Sequence, residues 1–318
     1  MLLPNSQLII IIQGASVVYT DFRQIREKVL ASARIKRMAV AAAADSHTLE
    51  AVMSACAMRL IHPVLVGDKA EILAILKEQG ESVPDDDIFD KRDGSAACEL
   101  AVQLVREGRA DFLMKGMIDT EPFLKAVVSS ESGLSKGGIM THFTIFEVPG
   151  YHKLLTVVDG GMVTYPSLEQ KKCIIENTVD ALISLGYVCP HVGILACVEK
   201  VNPRMPETMD AAELARMNAL GEIANCVVNG PISYDCAIDK NIAALKGYAG
   251  EVAGDADILI TPNIHAGNIM GKMLTCTCGA KMAGIIVGAA CPIVLTSRGS
   301  STEEKLCSIM LSAAVSGN

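Results

Sequence analysis

Five hydroxyls, a guanidinium and two carboxylates crowd the stretch Thr296-Ser297-Arg298-Gly299-Ser300-Ser301-Thr302-Glu303-Glu304. An apolar run at 293–296 precedes it. A helix-period stretch at 301–314 follows, with Leu306, Ile309, Met310 and Ala313 on one face. Loops at the carboxyl ends of parallel strands are where open α/β folds hold ligands, and a helix N-terminus adds free N–H groups and the positive end of a dipole. A guanidinium offers paired donors to a phosphate or another oxyanion. These residue types point to anion binding and proton transfer. Ser301-x-x-Glu304 also has the spacing of a capping box, so Glu304 has a structural reading beside the chemical one.

The same grammar of strand, polar loop and helix recurs elsewhere. Glu199-Lys200-Val201-Asn202-Pro203-Arg204-Met205-Pro206-Glu207-Thr208 follows an apolar run at 191–198 and leads into a helix expected over 210–220, capped by Thr208 or Asp210. Such a loop serves equally as a ligand wall or as an ordinary connection. Residues 255–268 repeat the pattern around a strand at 258–260. Asn263 stands in the loop, Gly267 permits close backbone approach, and Asn268 and Lys272 share a helix face. Lys115-Gly116 with Thr120 closes a strand at 112–114. Thr141-His142 opens one at 143–148, and Asp159-Gly160-Gly161 follows one at 154–158. His142 is an acid–base candidate or a satisfied polar residue. No GxGxxG follows an early strand, and GxxxxGK[ST], HExxH and metal-ligand spacings do not occur. Nicotinamide dinucleotide, P-loop nucleotide and zinc readings therefore lack their residues, and no metal site is expected.

The elements that must position these loops are legible as alternating apolar runs and helix-period stretches. Strands are expected at 38–44 and 63–66, and helices from Asp45-Ser46 to about 60, at 69–79 and at 95–107. A further helix opens at Thr120-Glu121-Pro122, and another runs from Ser167, in a capping box with Gln170, to 185. Further short strands are expected at 226–228, 283–287 and 293–296. The apolar runs are continuous rather than alternating, which marks strands buried on both faces of a largely parallel sheet between helices. The close runs at 143–148 and 154–158, joined by Pro149-Gly150, read as an antiparallel or edge pair. Residues 1–20 read as an addition, either an extra edge strand or an upstream translation start. At 318 residues the chain fits two domains, with a boundary near Gly137-Gly138.

Half of the residues are hydrophobic and one fifth are charged, which excludes a disordered chain. A net charge of −8 with only 4% aromatics speaks against a nucleic-acid partner. The uncharged stretch at 282–297 is too short to span a bilayer and is broken by Pro292. The apolar run at 8–12 has no preceding Lys or Arg, so a cytoplasmic protein without a membrane partner is expected. The eleven cysteines are odd in number, lie mostly in apolar runs and include no CxxC. They read as small buried hydrophobes in a reducing compartment, with Cys276-x-Cys278 as the one pair of chemical interest.

Taken together, the segments at 199–208, 254–268 and 283–298 resemble the phosphate acetyl/butyryltransferase family, whose patterns are EKVNPxMPxT, GDADIL…PN…AGN and AGIVVGA…PIVLTSR. The resemblance runs from about Asp21 to the C-terminus, and the EKVNPxMPxT form leans toward the butyryl branch. It implies reversible transfer of a short-chain acyl group between coenzyme A and inorganic phosphate. CoA and acyl-CoA, phosphate and acyl phosphate are the partners, no prosthetic group is bound permanently, and the assembly is a homo-oligomer, a dimer or larger. It implies an α/β fold of two three-layer domains flanking a cleft, similar to isocitrate and isopropylmalate dehydrogenases. The first domain is 1–138 plus a returning 297–318, and the second is 139–296. Ser297, Arg298 and Glu304 are implied as catalytic. Lys115, Thr120, Thr141, His142, Met205, Thr208, Asn263, Asn268 and Lys272 are implied as substrate-binding. The butyryl branch usually writes SRAD, and here the Asp position is Ser300, so Glu303 and Glu304 both stand as the base. Chemically, a carboxylate would take the CoA thiol's proton, Ser297 would donate to the developing oxyanion and Arg298 would hold phosphate. A same-fold NAD-dependent dehydrogenase of a hydroxy acid and a non-catalytic CoA-binding homologue are the alternatives.

Overall fold

The computed structural model describes residues 17–130, 133–296 and 299–317. Among them, eleven strands form one sheet. In chain order they are β1 (Lys36–Ala41), β2 (Ile61–Gly67), β3 (Ile88–Asp90), β4 (Phe112–Lys115), β5 (Thr141–Glu147), β6 (Leu155–Val158), β7 (His191–Leu195), β8 (Val227–Ile232), β9 (Ile258–Ile260), β10 (Lys281–Val287) and β11 (Ile293–Val294). Their spatial order is β3-β2-β1-β4-β11-β10-β5-β6-β9-β7-β8. The strands from β3 to β11 in this order are mutually parallel, as are those from β6 to β8. The two blocks run in opposite directions because β10 and β5 pair antiparallel with each other and with their outer neighbours. The pair β5–β6 is antiparallel as expected, and it lies in the middle of the sheet rather than at its edge.

The helices are α1 (Phe22–Leu30), α2 (Ser46–Ala57), α3 (Lys69–Glu78), α4 (Gly94–Arg106), α5 (Thr120–Val128), α6 (Leu168–Leu185), α7 (Pro206–Ala219), α8 (Tyr234–Ile238), α9 (Lys240–Leu245), α10 (Ile264–Cys276) and α11 (Thr302–Val315). Side-chain caps start many of them. Asp45, Asp68, Asp93, Asn263 and Ser301 each accept a first-turn N–H, and Ser167 and Gln170 complete a reciprocal capping box. α7 begins at Pro206 rather than at Asp210. Proline fits the first helical position, where no N–H is required, and Asp210 instead pairs with the buried Lys171 at 2.7 Å. β3, α8 and α9 had no counterpart in the sequence reading, being too short for a periodic signal.

Alternation along the strands sorts the core. Phe143, Ile145, Ile258 and Ile260 join a large apolar cluster with α6 and α7 residues. Phe146, Leu155, Val157 and Leu259 join a smaller cluster on the opposite face with Leu274 of α10. The division at Gly137-Gly138 is the domain reading we propose on this sheet. It places β1–β4 in one part and β5–β10 in the other, while β11 pairs with β4 among strands of the first part. The C-terminal helix α11 packs on α1 and α2, and also on α6 and β10. Of the cysteines, Cys98, Cys226, Cys236, Cys291 and Cys307 are buried, whereas Cys189, Cys197, Cys276 and Cys278 are exposed, so burial does not account for them all. Among the described residues no helix is long and apolar enough to cross a membrane.

Candidate active site

Pleating along β5 builds the site. His142, Thr144 and Phe146 face one side of the sheet. On that side β10 sets Ile286 beside His142, Gly284 beside Thr144 and Met282 beside Phe146, while β6 sets Val157 on the other flank of Thr144. Between α10 and the start of α11 this face carries a cavity of about 440 Å³, into which His142, Asn268, Lys272, Ser300, Glu304 and Ser308 also project.

Two glycines make room for the His142 ring. A Cβ on Gly161 would lie 2.7 Å from its Nδ1, and one on Gly284 would lie 3.2 Å from its Nε2. Its backbone N–H donates to Oδ2 of the buried Asp159 at 2.8 Å, whose Oδ1 accepts from the N–H groups of Gly161 and Met162, both at 2.7 Å. One carboxylate thus fastens the loop after β6 to the start of β5. Thr144 Oγ1 stands 3.3 Å from His142 Nδ1. Burial pushes the imidazole below its ordinary pKa, and the Asp159 charge acts in the opposite direction.

α11 supplies the opposite wall and separates the two candidate carboxylates. Glu303 points outward to Lys281 at 3.0 Å, and both side chains are more than half exposed. Glu304 is half-buried in the cavity and accepts a hydrogen bond from Ser300 Oγ at 2.6 Å. Only half of the expected capping box forms. The Glu304 N–H donates to Ser301 Oγ at 3.1 Å, but the Glu304 carboxylate turns to Ser300 rather than back to the Ser301 backbone. One turn later Ser308 Oγ donates to the Glu304 carbonyl (2.8 Å) and accepts from the Gly284 N–H (3.0 Å), which locks α11 onto β10.

α10 closes in because two glycines face the sheet. A Cβ on Gly267 would lie 2.5 Å from the Asp159 carbonyl oxygen, and one on Gly271 would meet Phe146 Cζ at 3.3 Å. Asn268 Nδ2 donates to the Gly160 carbonyl at 3.1 Å. Lys272 stands exposed at the rim with no ion-pair partner among the described residues.

His142, Asn268, Lys272 and Glu304 of the expected residues therefore converge on one cavity. Ser297 and Arg298 lie outside the described residues, although Thr296 and Gly299 on either side both line the cavity. The remaining candidates do not line this cavity. Thr141, next to His142 on a strand, faces the other side and accepts from Asn177 Nδ2 at 3.0 Å. Thr208 is fully buried, with its hydroxyl committed to Asn202 and Met205 backbone, and Met205 is the N-cap residue of α7. Asn263 caps α10 through the Ala266 N–H. Lys115 Nζ donates to the Ile118 carbonyl at 2.7 Å, and Thr120 is exposed on the first turn of α5; neither lines the cavity. Sequence reasoning missed Thr144, Gly284 and Ser308. Thr144 could have been found from the period of two once His142 was taken as facing the site, whereas Gly284 is placed only by the pairing of β10 with β5.

A second polar cluster joins residues that were far apart in the reading. Glu199, Asp235 and Cys236 bring ligand-type atoms within 4.8 Å of one another. The ammonium of Lys246 already lies 3.1 Å from Glu199 and 2.8 Å from Asp235, where a cation would sit. Lys246 holds the Asp235 carboxyl down at about 2, and burial pushes the Cys236 thiol up, which makes it a poor ligand. The cluster reads as an ion-paired brace.

Residues 90–313 match the protein family described as phosphate acetyl/butaryl transferase. The chain is 43% identical over 298 residues to a phosphate butyryltransferase of Clostridium acetobutylicum, covering 94% of this chain and 99% of that protein. Among solved structures it resembles a branched-chain phosphotransacylase from Enterococcus faecalis V583, with a TM-score of 0.78, 30% identity, and coverage of 89% of this chain and 100% of that one. A 4-hydroxythreonine-4-phosphate dehydrogenase from Burkholderia phymatum shares the fold at a TM-score of 0.56 and 12% identity, covering 90% of this chain and 99% of that one.

Proposed function

Because the chain belongs to the phosphate acetyl/butaryl transferase family, we propose that it moves a short-chain acyl group of the butyryl type between coenzyme A and inorganic phosphate. It is an acyltransferase. The dehydrogenase alternative is not favoured, since the likeness to dehydrogenases is one of fold, and function resides in the site.

The observation that carries the mechanism is the Glu304 carboxylate, oriented by the Ser300 hydroxyl inside the cavity. We assign it as the general base. In the direction of acyl-CoA synthesis it takes the proton of the CoA thiol, and the thiolate attacks the carbonyl carbon of the acyl phosphate. The C–S bond forms as the C–O bond to phosphate breaks, and phosphate leaves. The reverse reaction returns the proton to CoA as phosphate attacks the thioester. No covalent enzyme intermediate or prosthetic group is needed, since holding both reactants in one cleft supplies the effective concentration. By motif match, Ser297 donates to the oxyanion and Arg298 grips the phosphate in two-point fashion. Lys272, cationic and without an ion-pair partner among the described residues, suits the phosphates of CoA or the acyl phosphate. We read the enzyme as cytoplasmic, in keeping with its eleven cysteines, and as a homo-oligomer, in keeping with the exposed Ile269 and Met273 of α10.

The test is phosphate-dependent release of CoA thiol from butyryl-, propionyl- and acetyl-CoA. Release from at least one ester is expected, and release from none overturns the function. Arg298→Gln is expected to abolish phosphate-dependent turnover in a folded protein, and unchanged turnover would remove Arg298 from the mechanism.

A further inference from the structure

Resting on the acyl-transfer reading, we propose that Phe146, Met282 and Gly271 form the stop that sets acyl length. The three come from β5, β10 and α10 and meet at one end of the cavity. Phe146 is only 1% exposed and yet lines the cavity, so it lies at the base. Like Val157, it belongs to the smaller apolar core and also lines the cavity. Met282 pairs with Phe146 across the strands, and its unbranched thioether adapts to the end of a chain.

Glu304 enters at the same end. Its neighbour Glu303 pairs with Lys281, the residue before Met282, so the first turn of α11 stands over the start of β10. An acyl carbon placed at Glu304 therefore has Phe146 and Met282 as the apolar surface beside it. The His142 end lies four residues back along β5, about 13 Å away, and there the imidazole, the Thr144 hydroxyl, Gly160 and Gly161 stand beside Ile286. That end suits polar parts of the substrates, and the alkyl tail belongs on the Phe146 floor.

Gly271 is the ceiling. Among the described residues outside α10, the atom that a Cβ built there meets is Phe146 Cζ, at 3.3 Å, so a methyl group would stand at the ring edge and shorten the space. Alanine is favoured over glycine in mid-helix, which makes Gly271→Ala a filling substitution that keeps α10. Met282→Ala and Phe146→Leu are opening substitutions.

The experiment compares kcat/KM for phosphorolysis of acetyl-, butyryl- and hexanoyl-CoA in the wild type and these three variants. One methylene in an apolar pocket is worth roughly 10- to 200-fold in discrimination. Gly271→Ala is expected to lower the butyryl-to-acetyl ratio by about tenfold or more. At least one opening variant is expected to raise the hexanoyl-to-butyryl ratio by a similar factor. A purely structural role would lower all three esters in proportion. Proportional loss, or unchanged ratios in Gly271→Ala and both opening variants, overturns the proposal while leaving acyl transfer intact. A wild type that releases CoA from no ester overturns the acyl-transfer reading itself.

Discussion

Glu303 and Glu304 are neighbours in the chain, yet only Glu304 lines the cavity. The first is ion-paired to Lys281 in solvent, and the second meets Ser300 inside the cavity. A general base contributes typically 10²- to 10⁴-fold. Glu304→Gln is therefore expected to lower kcat for CoA release by about that factor, whereas Glu303→Gln leaves it near the wild-type value; equal losses in the two would count against the assignment. His142 gives a second residue-scale expectation. Burial holds its imidazole below the ordinary value of about 6.5 that it regains on unfolding. Below that pH the unfolded chain binds a proton that the folded chain resists. The neutral ring's contribution to stability is thus fully present above about 6.5 and declines as pH falls. Urea midpoints followed from pH 7.5 down to 5.5, at about one unit either side of the ordinary value, are expected to fall less steeply in His142→Asn than in the wild type; parallel slopes would contradict the effect.

At the scale of elements, α10 is the piece whose approach makes the cavity. Gly267 and Gly271 are one turn apart and face the sheet, but they have different tolerances. A methyl on Gly267 meets the Asp159 carbonyl oxygen at 2.5 Å and the Gly160 Cα at 2.9 Å, backbone that cannot yield cheaply. Overpacking of this kind costs about 1–3 kcal/mol, against a gain of about 1 kcal/mol in helix propensity. Gly267→Ala is expected to lower the melting temperature and to reduce turnover with every ester, because α10 carries Asn268 and Lys272 away with it. A melting temperature at or above the wild-type value would show that α10 does not rest on this contact. α11 shows a similar economy of position. Ser301 begins the helix, Glu304 is released from its capping role, and Ser308 anchors the second turn to Gly284.

At the scale of the whole molecule, the two oppositely directed blocks of the sheet are joined through β10 and β5, and α11 packs across helices from both. The larger apolar cluster likewise runs from Tyr19 to Ala314 near the end of the chain. Such continuity predicts one cooperative transition. Leu311 of α11 is fully buried, and truncating a buried leucine costs about 2–5 kcal/mol. Leu311→Ala is expected to move a single calorimetric peak to lower temperature. Two peaks, with only one displaced, would show that the halves melt independently.

Much of this was legible in the chain before any contact was known. Continuous apolar runs announced strands covered on both faces, Ser167 with Gln170 announced a helix start, and Gly267 announced a close approach. Each of these signals is carried by residues within a few positions of one another. The polar loops at 199–208, 255–268 and 296–304 likewise announced where chemistry could lie, and together they marked the family. What the tertiary structure decided is which member of each local pair reaches the cavity: His142 rather than Thr141, Glu304 rather than Glu303. It also decided that Thr208 and Asn263 serve the turns they sit in, and that Lys246 fills the space between Glu199 and Asp235. The physical reason is that facing is set by partners far away in sequence. Gly284 makes room for His142, Lys281 draws Glu303 outward, and Asp159 holds the loop against which α10 rests. A chain specifies its strands and caps locally, but a cavity is the space left between elements, and its walls exist only once those elements have packed.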